Sequence, residues 1–93
     1  MKVYNLENPN GNKVPNQFVI NDGKAVYFQS YNSIIAKYAK GKLTLFPDWD
    51  YSMTTRKYLY QFLKEEAHFF YLPEYTRKAI LEAIKAKRIT LKK

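Results

Sequence analysis

The sequence has no cysteine and a single histidine, His68. That excludes a disulfide framework, a thiolate metal cluster, a cysteine nucleophile and any site built on two histidines. Its three glycines, Gly11, Gly23 and Gly41, are isolated from one another, so there is no glycine-rich loop to cradle a phosphate. Ser30, Ser33 and Ser52 lack the sharp strand-to-helix context of a nucleophile elbow. No apolar run approaches the roughly 18 residues of a membrane span, and Met1-Lys2-Val3-Tyr4-Asn5 does not open like a signal peptide. The expectation is a cytoplasmic protein with no membrane partner, no cofactor, no metal ligands and no catalytic residues.

What is present is apolar matter and positive charge. The 93 residues are 46% hydrophobic and 17% aromatic, enough for a small core and too aromatic for a disordered basic tail. We expect one α+β domain over residues 1–93. Asn5, Asn8, Asn10, Asn12 and Asn16 alternate with Pro9, Gly11 and Pro15, which predicts a loop-rich segment over 1–16, with Val3, Tyr4 and Leu6 able to add a short edge strand. Gln17–Ile20 and Ala25–Gln29 are β-rich runs around Asp22-Gly23, a pair suited to a tight type I′ hairpin turn.

Ser33–Ala39 alternates, with Ile34, Ala36 and Tyr38 on one face, and Lys42–Phe46 returns after a Lys40-Gly41 turn. The same stretch from Ser33 to Lys40 also fits a short helix. We take the strand, which gives a four-stranded antiparallel meander packed against two C-terminal helices. Ser52 is a candidate cap for a helix from about Met53 to about Phe69, with Leu59, Phe62, Leu63, Ala67 and Phe70 on its inner face. Thr76 caps a second helix whose Ile80, Leu81 and Ile84 turn inward, and Ile89-Thr90-Leu91 suits a short closing strand.

The charge is unevenly placed. Of sixteen Lys and Arg, seven lie at the C-terminal end (Arg77, Lys78, Lys85, Lys87, Arg88, Lys92 and Lys93), where Glu82 is the one acid. A local basic element suits a phosphate backbone or an acidic protein surface. The same charge also fits a solvated helix face that aids solubility. A second basic set, Lys24, Lys37, Lys40 and Lys42, is interleaved with Tyr27, Tyr31 and Tyr38. Such residues track a backbone and stack bases, although tyrosine is equally the ordinary edge-of-core residue of a small sheet. The candidate binding residues are the seven C-terminal cations with Lys37, Lys40, Lys42 and Tyr31.

Little catalytic chemistry competes with this reading. His68 has Glu65 one position short of the four-residue helical step, and the two fit solvated neighbours, so His68 reads as structural or surface. A pair of carboxylates such as Asp48 and Asp50 can hold Mg²⁺, but a metal nuclease needs a further carboxylate and a lysine. Their simpler role is to oppose the positive end of the following helix dipole.

The strings Asn16–Ile20, Phe28–Tyr31, Asp48–Ser52, and Thr54-Thr55 with Lys57-Tyr58-Leu59 resemble a group of short uncharacterised proteins carried by phages, plasmids and related mobile elements of Gram-positive bacteria. The resemblance covers most of residues 10–91 and rests on core and turn residues. It implies a small accessory protein of the host cytoplasm that acts by binding nucleic acid or a host defence machine. Anti-CRISPR proteins are one such class. Many of those are acidic mimics of DNA, whereas this chain is strongly basic, so mimicry is not expected. The expected function is non-enzymatic, stoichiometric inhibition of a host defence complex, with nucleic acid or an RNA-guided nucleoprotein complex as partner. The alternatives are an acidic protein surface as partner, or a DNA-binding regulator or accessory factor of phage or plasmid replication. Either a monomer or a homodimer is compatible with the sequence.

Overall fold

The computed structural model describes residues 1–92. Strands β1 (Lys2–Glu7), β2 (Lys13–Asn21), β3 (Val26–Ser30), β4 (Ser33–Ala39) and β5 (Lys42–Leu45) are followed by a 3-10 turn, Pro47–Asp50. Helices α1 (Met53–Glu65) and α2 (Arg77–Lys85) come next, and strand β6 (Thr90–Leu91) closes the chain order. The architecture is α+β, as the sequence indicates. The sheet, however, has six strands in the order β1 to β6, and it is mixed. The expected four-stranded meander is its centre; β1 extends one side antiparallel to β2, and β6 extends the other parallel to β5.

The first sixteen residues are more ordered than their asparagine content suggests. Turn chemistry is confined to residues 8–12, where the Asn8 side chain accepts hydrogen bonds from the amides of Asn10 and Asn12. With reversal achieved there, Lys2–Asn5 pairs with Phe18–Asn21, and a bulge brings Glu7 opposite Lys13.

The β4–β5 turn is Lys40-Gly41, as the sequence indicates, while the β2–β3 turn differs from expectation. Asn21 pairs with Val26, so the β2–β3 connection is the four residues 22–25. The Asp22 carboxylate accepts from the Lys24 and Ala25 amides, the Asn21 side chain accepts from the Gly23 amide, and Gly23 sits at φ +90°. These side-chain bonds shape the loop without a type I′ turn. The two-residue turn with both central residues at positive φ is Lys40-Gly41, at +53° and +76°, between the paired Ala39 and Lys42. In β4, Ile35 is an extra residue between Ile34, which pairs with Gln29, and Ala36, which pairs with Phe28. The bulge breaks the simple alternation, so Ile34 does not share the face of Ala36 and Tyr38, and Ile35 and Ala36 are both buried.

Both helix caps are as the sequence indicates: Ser52 accepts from the Thr55 amide and Thr76 from the Ala79 amide. Leu59, Phe62 and Leu63 of α1 are fully buried, and Phe62 stacks on Phe28 of the sheet with ring centroids 5.7 Å apart. The helix ends at Glu65, short of the expected Phe69. The Phe69 amide reaches back to the Leu63 carbonyl across His68, which takes the left-handed conformation at φ +51°. This change of direction carries Phe69 into the core and leaves Phe70 64% exposed, the reverse of the helical extrapolation. In α2 the buried face is Ala79, Ile80 and Ala83, with Leu81 exposed. Adjacent Ile80 and Leu81 lie about 100° apart on a helix and cannot both centre one face; the small Ala79 and Ala83 flank Ile80 instead. Among the described residues no helix is long and apolar enough to cross a membrane.

Candidate nucleic-acid interface

Strand direction decides which loops meet. β2 and β4 run toward one end of the sheet, and β1, β3, β5 and β6 run away from it. The β2–β3 loop, the β4–β5 turn and the connection from α2 into β6 therefore share that end. Lys24 lies in the first, Lys40 and Lys42 in or beside the second, and Lys85, Lys87 and Arg88 in the third, all exposed. Two basic groups far apart in the chain are thus joined into one basic end.

Each cation is held by local geometry. α2 stops in a Schellman motif: the Arg88 amide donates to the Ala83 carbonyl and the Lys87 amide to the Ile84 carbonyl. Lys87 occupies the left-handed position of that motif at φ +63°, a place usually taken by glycine. Lys40, at φ +53°, likewise accepts a backbone that costs a side-chain-bearing residue about 1–2 kcal/mol. At both positions glycine would relax the backbone, and lysine keeps a cation. Asp22, in the adjoining loop, has its carboxyl held below the usual carboxylate range, mainly by the Lys24 and Ala25 amides, with the charges of Lys24 and Lys37 adding to the effect.

Lys37 stands just inside the basic end on the face without helices, its Nζ 5.8 Å from the centre of the Tyr27 ring and its charge felt by Asp22. The remaining candidates lie elsewhere. Lys78 is exposed in the first turn of α2, away from the basic end. Arg77 beside it is ion-paired, with Nε 2.7 Å from Asp50, whose other oxygen meets Arg56 at 2.5 Å. Lys92 follows β6 to the opposite end, where its amide donates to the Leu45 carbonyl and its Nζ lies 5.7 Å from the centre of the Phe46 ring. Tyr31 is exposed at the β3–β4 turn, also at that opposite end. Lys93 lies outside the described residues. Among the described residues, the close ion pairs are those of Asp50, so none of the basic-end cations is in a salt bridge, although the Asp22 carboxylate stands in the same loop as Lys24.

The opposite end has a different character. Asp48 accepts a hydrogen bond from the Ser33 hydroxyl at 3.1 Å beside a cleft of about 560 Å³ lined chiefly by Ser, Thr, Tyr and Asn. Ser30, a lining residue, is buried with its hydroxyl unpartnered, as is the Gln17 side-chain oxygen on the neighbouring strand. Among the described residues no lysine or arginine lines the cleft, and no three of His, Asp and Glu gather closely enough to hold a metal ion.

Sequence reading missed two residues at the basic end. Phe70 and Tyr71 are 64% and 70% exposed in the connection after α1, while the Phe69 ring packs edge-on against both Tyr38 and Tyr71. Tyr38 is two positions before Lys40 and pairs with Leu43, so this aromatic pair stands beside the basic turn. The available signal was Pro73: a helix stopped well before it leaves His68-Phe69-Phe70-Tyr71 irregular, with too many rings for one core.

No curated protein and no solved structure matches this chain. Residues 1–81 match a family of unknown function (DUF8033), a span that includes the whole antiparallel part of the sheet and α1 and stops before Lys85, Lys87 and Arg88. The match extends over most of the sequence, and the chain belongs to that family.

Proposed function

We propose that this protein is a non-enzymatic, stoichiometric binder of a phosphate-bearing polymer, which it engages through the basic end. One observation carries the reading: β6 pairs parallel with β5, and α2 ends in a tight motif, so that Lys85, Lys87 and Arg88 share an end with Lys24, Lys40 and Lys42. Six cations outside any salt bridge, on or beside short hydrogen-bonded turns, make a positive surface that the single Asp22 carboxylate offsets only in part, and left-handed lysines kept at a backbone cost support a role for their charge. Lysine and arginine used in this way position a backbone and do not read sequence.

The test is a fluorescence-anisotropy titration against labelled duplex DNA, single-stranded DNA and RNA over a salt series. Affinity should fall steeply and log-linearly with salt, since each phosphate contact releases counterions. Reversing Lys85, Lys87 and Arg88 to Glu should abolish binding with the circular-dichroism spectrum unchanged. No salt-sensitive binding to any of the three would overturn the proposal and point to an acidic protein partner. A narrower proposal, inhibition of an RNA-guided defence complex by a phage- or plasmid-borne protein, rests on the family resemblance and the basic charge. Its measure is preferential capture of the assembled nucleoprotein over naked DNA; the reverse preference favours a DNA-binding accessory factor.

A further inference from the structure

The basic end carries an apolar feature that charge does not explain. Phe70 and Tyr71 are consecutive, large and mostly exposed. Their neighbour Phe69 is buried and locked edge-on against Tyr38, with the Phe69–Tyr71 ring centroids 5.3 Å apart. The Phe69 carbonyl accepts a hydrogen bond from the Tyr75 hydroxyl at 2.8 Å, and Lys64 stands with its Nζ 4.7 Å from the centre of the Tyr75 ring. The connection is thus held at Phe69 before the exposed rings and at buried Leu72 after them. Two mostly exposed rings, joined through Phe69 and Tyr38 to the strand that ends in the Lys40-Gly41 turn and near Lys64 through Tyr75, are the parts of a stacking platform.

From this we propose that the ligand of the basic end is single-stranded nucleic acid, with one or two unpaired bases stacked on Phe70 and Tyr71 while the backbone follows Lys40, Lys42, Lys87 and Arg88. The inference rests on the phosphate-binding reading above and adds the strandedness of the ligand. A duplex keeps its base faces stacked internally and offers these rings nothing; a single strand offers every base face. The platform is sequence-tolerant, because each base has a π-face, which fits cations that only position. An anionic bilayer also attracts cations flanking exposed aromatics, but membrane affinity grows with the apolar area inserted. Two rings on a pinned connection supply little area for insertion and enough for a base or two.

The test compares oligothymidylate with duplex of equal length at fixed low salt. Wild type should prefer the single strand. Phe70→Ala and Tyr71→Ala should each weaken single-strand binding about tenfold, leaving duplex affinity and the salt slope unchanged, because no charge is removed. In Phe70→Trp, the new indole should be quenched as oligothymidylate binds, against the constant background of buried Trp49. Equal loss on both ligands, or no loss on either, would overturn the stacking inference while leaving the basic end intact. Absence of binding to every nucleic acid would instead overturn the underlying reading. Vesicles of phosphatidylglycerol that displace the oligonucleotide and shift the emission of the introduced indole to the blue would reassign the rings to a membrane surface.

Discussion

The two ends of the sheet use the same residue types for opposite purposes. At one end Arg77 and Arg56 close on Asp50, beside capped Ser52 and the bonded pair Ser33 and Asp48. At the other, Lys40, Lys42, Lys85, Lys87 and Arg88 face water without a carboxylate partner, two of them on left-handed backbone. An arginine at the start of α2 is thus part of the fold's internal pairing, and an arginine just past its end is available to a ligand. Local composition treats the two as one basic helix. What separates them is which strand end each reaches.

The sharpest way to break this comparison is to move charge at each end in turn. Lys85→Glu/Lys87→Glu/Arg88→Glu should lower nucleic-acid affinity by about a hundredfold or more and flatten the salt dependence, measured by anisotropy. Arg77→Gln should leave affinity nearly unchanged and cost at most about 1 kcal/mol in a urea melt, the range of a surface ion pair. If the two variants lose affinity alike, the ends are not distinct.

A change in the core is the control that joins the ends. Phe62 is fully buried and stacked on Phe28. Phe62→Ala should cost about 3–5 kcal/mol of unfolding free energy through lost burial and a cavity, and binding should vanish only in step with folding. Lys40→Gly and Lys87→Gly sharpen the comparison from the other side. Each should raise stability by about 0.5–1 kcal/mol by relieving left-handed strain, while weakening nucleic-acid binding. A variant that gains stability and keeps affinity would show that the lysine is an ordinary surface residue.

The smallest expected effects are in pH dependence. The Tyr4 hydroxyl donates to the Glu66 carboxylate, and burial, that bond and the nearby negative charge push its pKa up to about 12 from an ordinary value of 10.0. A folded pKa above the unfolded one contributes stability that is complete below about pH 10 and is lost as pH rises through about 12. Tyr4→Phe should blunt that alkaline loss. Asp22 has the opposite sign: its carboxyl is held down by the Lys24 and Ala25 amides, so its contribution is present above the ordinary carboxylate pKa and is lost as acid takes pH through the lowered value. Asp22→Asn should flatten the acid limb of a pH-resolved melt. Because Asp22 shapes the β2–β3 loop, the acid limb reports on the basic end, and the alkaline limb on the contact between β1 and α1.

Features that depend on a few neighbouring residues were readable in advance. Ser52 and Thr76 cap because a hydroxyl three residues before a free amide reaches it in any context. Leu59, Phe62, Leu63 and Ile80 are buried because their spacing makes one stripe on each helix. The errors have a common physical source. The edge strand offered for Val3, Tyr4 and Leu6 forms as β1, but the loop-rich reading of 1–16 was too wide, since asparagine content masks a turn of only a few residues between two pairable flanks. Asp22 looked like half of a type I′ turn, yet its carboxylate takes two amides and builds a longer loop. The helical extrapolation to Phe69 fails because Phe69 packs on Tyr38, a partner on a distant strand.

The candidate interface follows the same division. By itself the sequence determined that the chain is strongly basic, that the excess charge is clustered near the C-terminus, and that two capped helices follow a set of strands; these depend on composition and on contacts within one or two helical turns. Tertiary structure alone decided which cations gather. The pairing of Thr90 and Leu91 with Thr44 and Leu45 joins residues far apart in the chain, and in a sheet such a pairing is chosen by burial of the whole face and not by local preference. That one parallel contact carries Arg88 to the end where Lys40 and Lys42 turn, and it leaves Arg77 at the other end with Asp50.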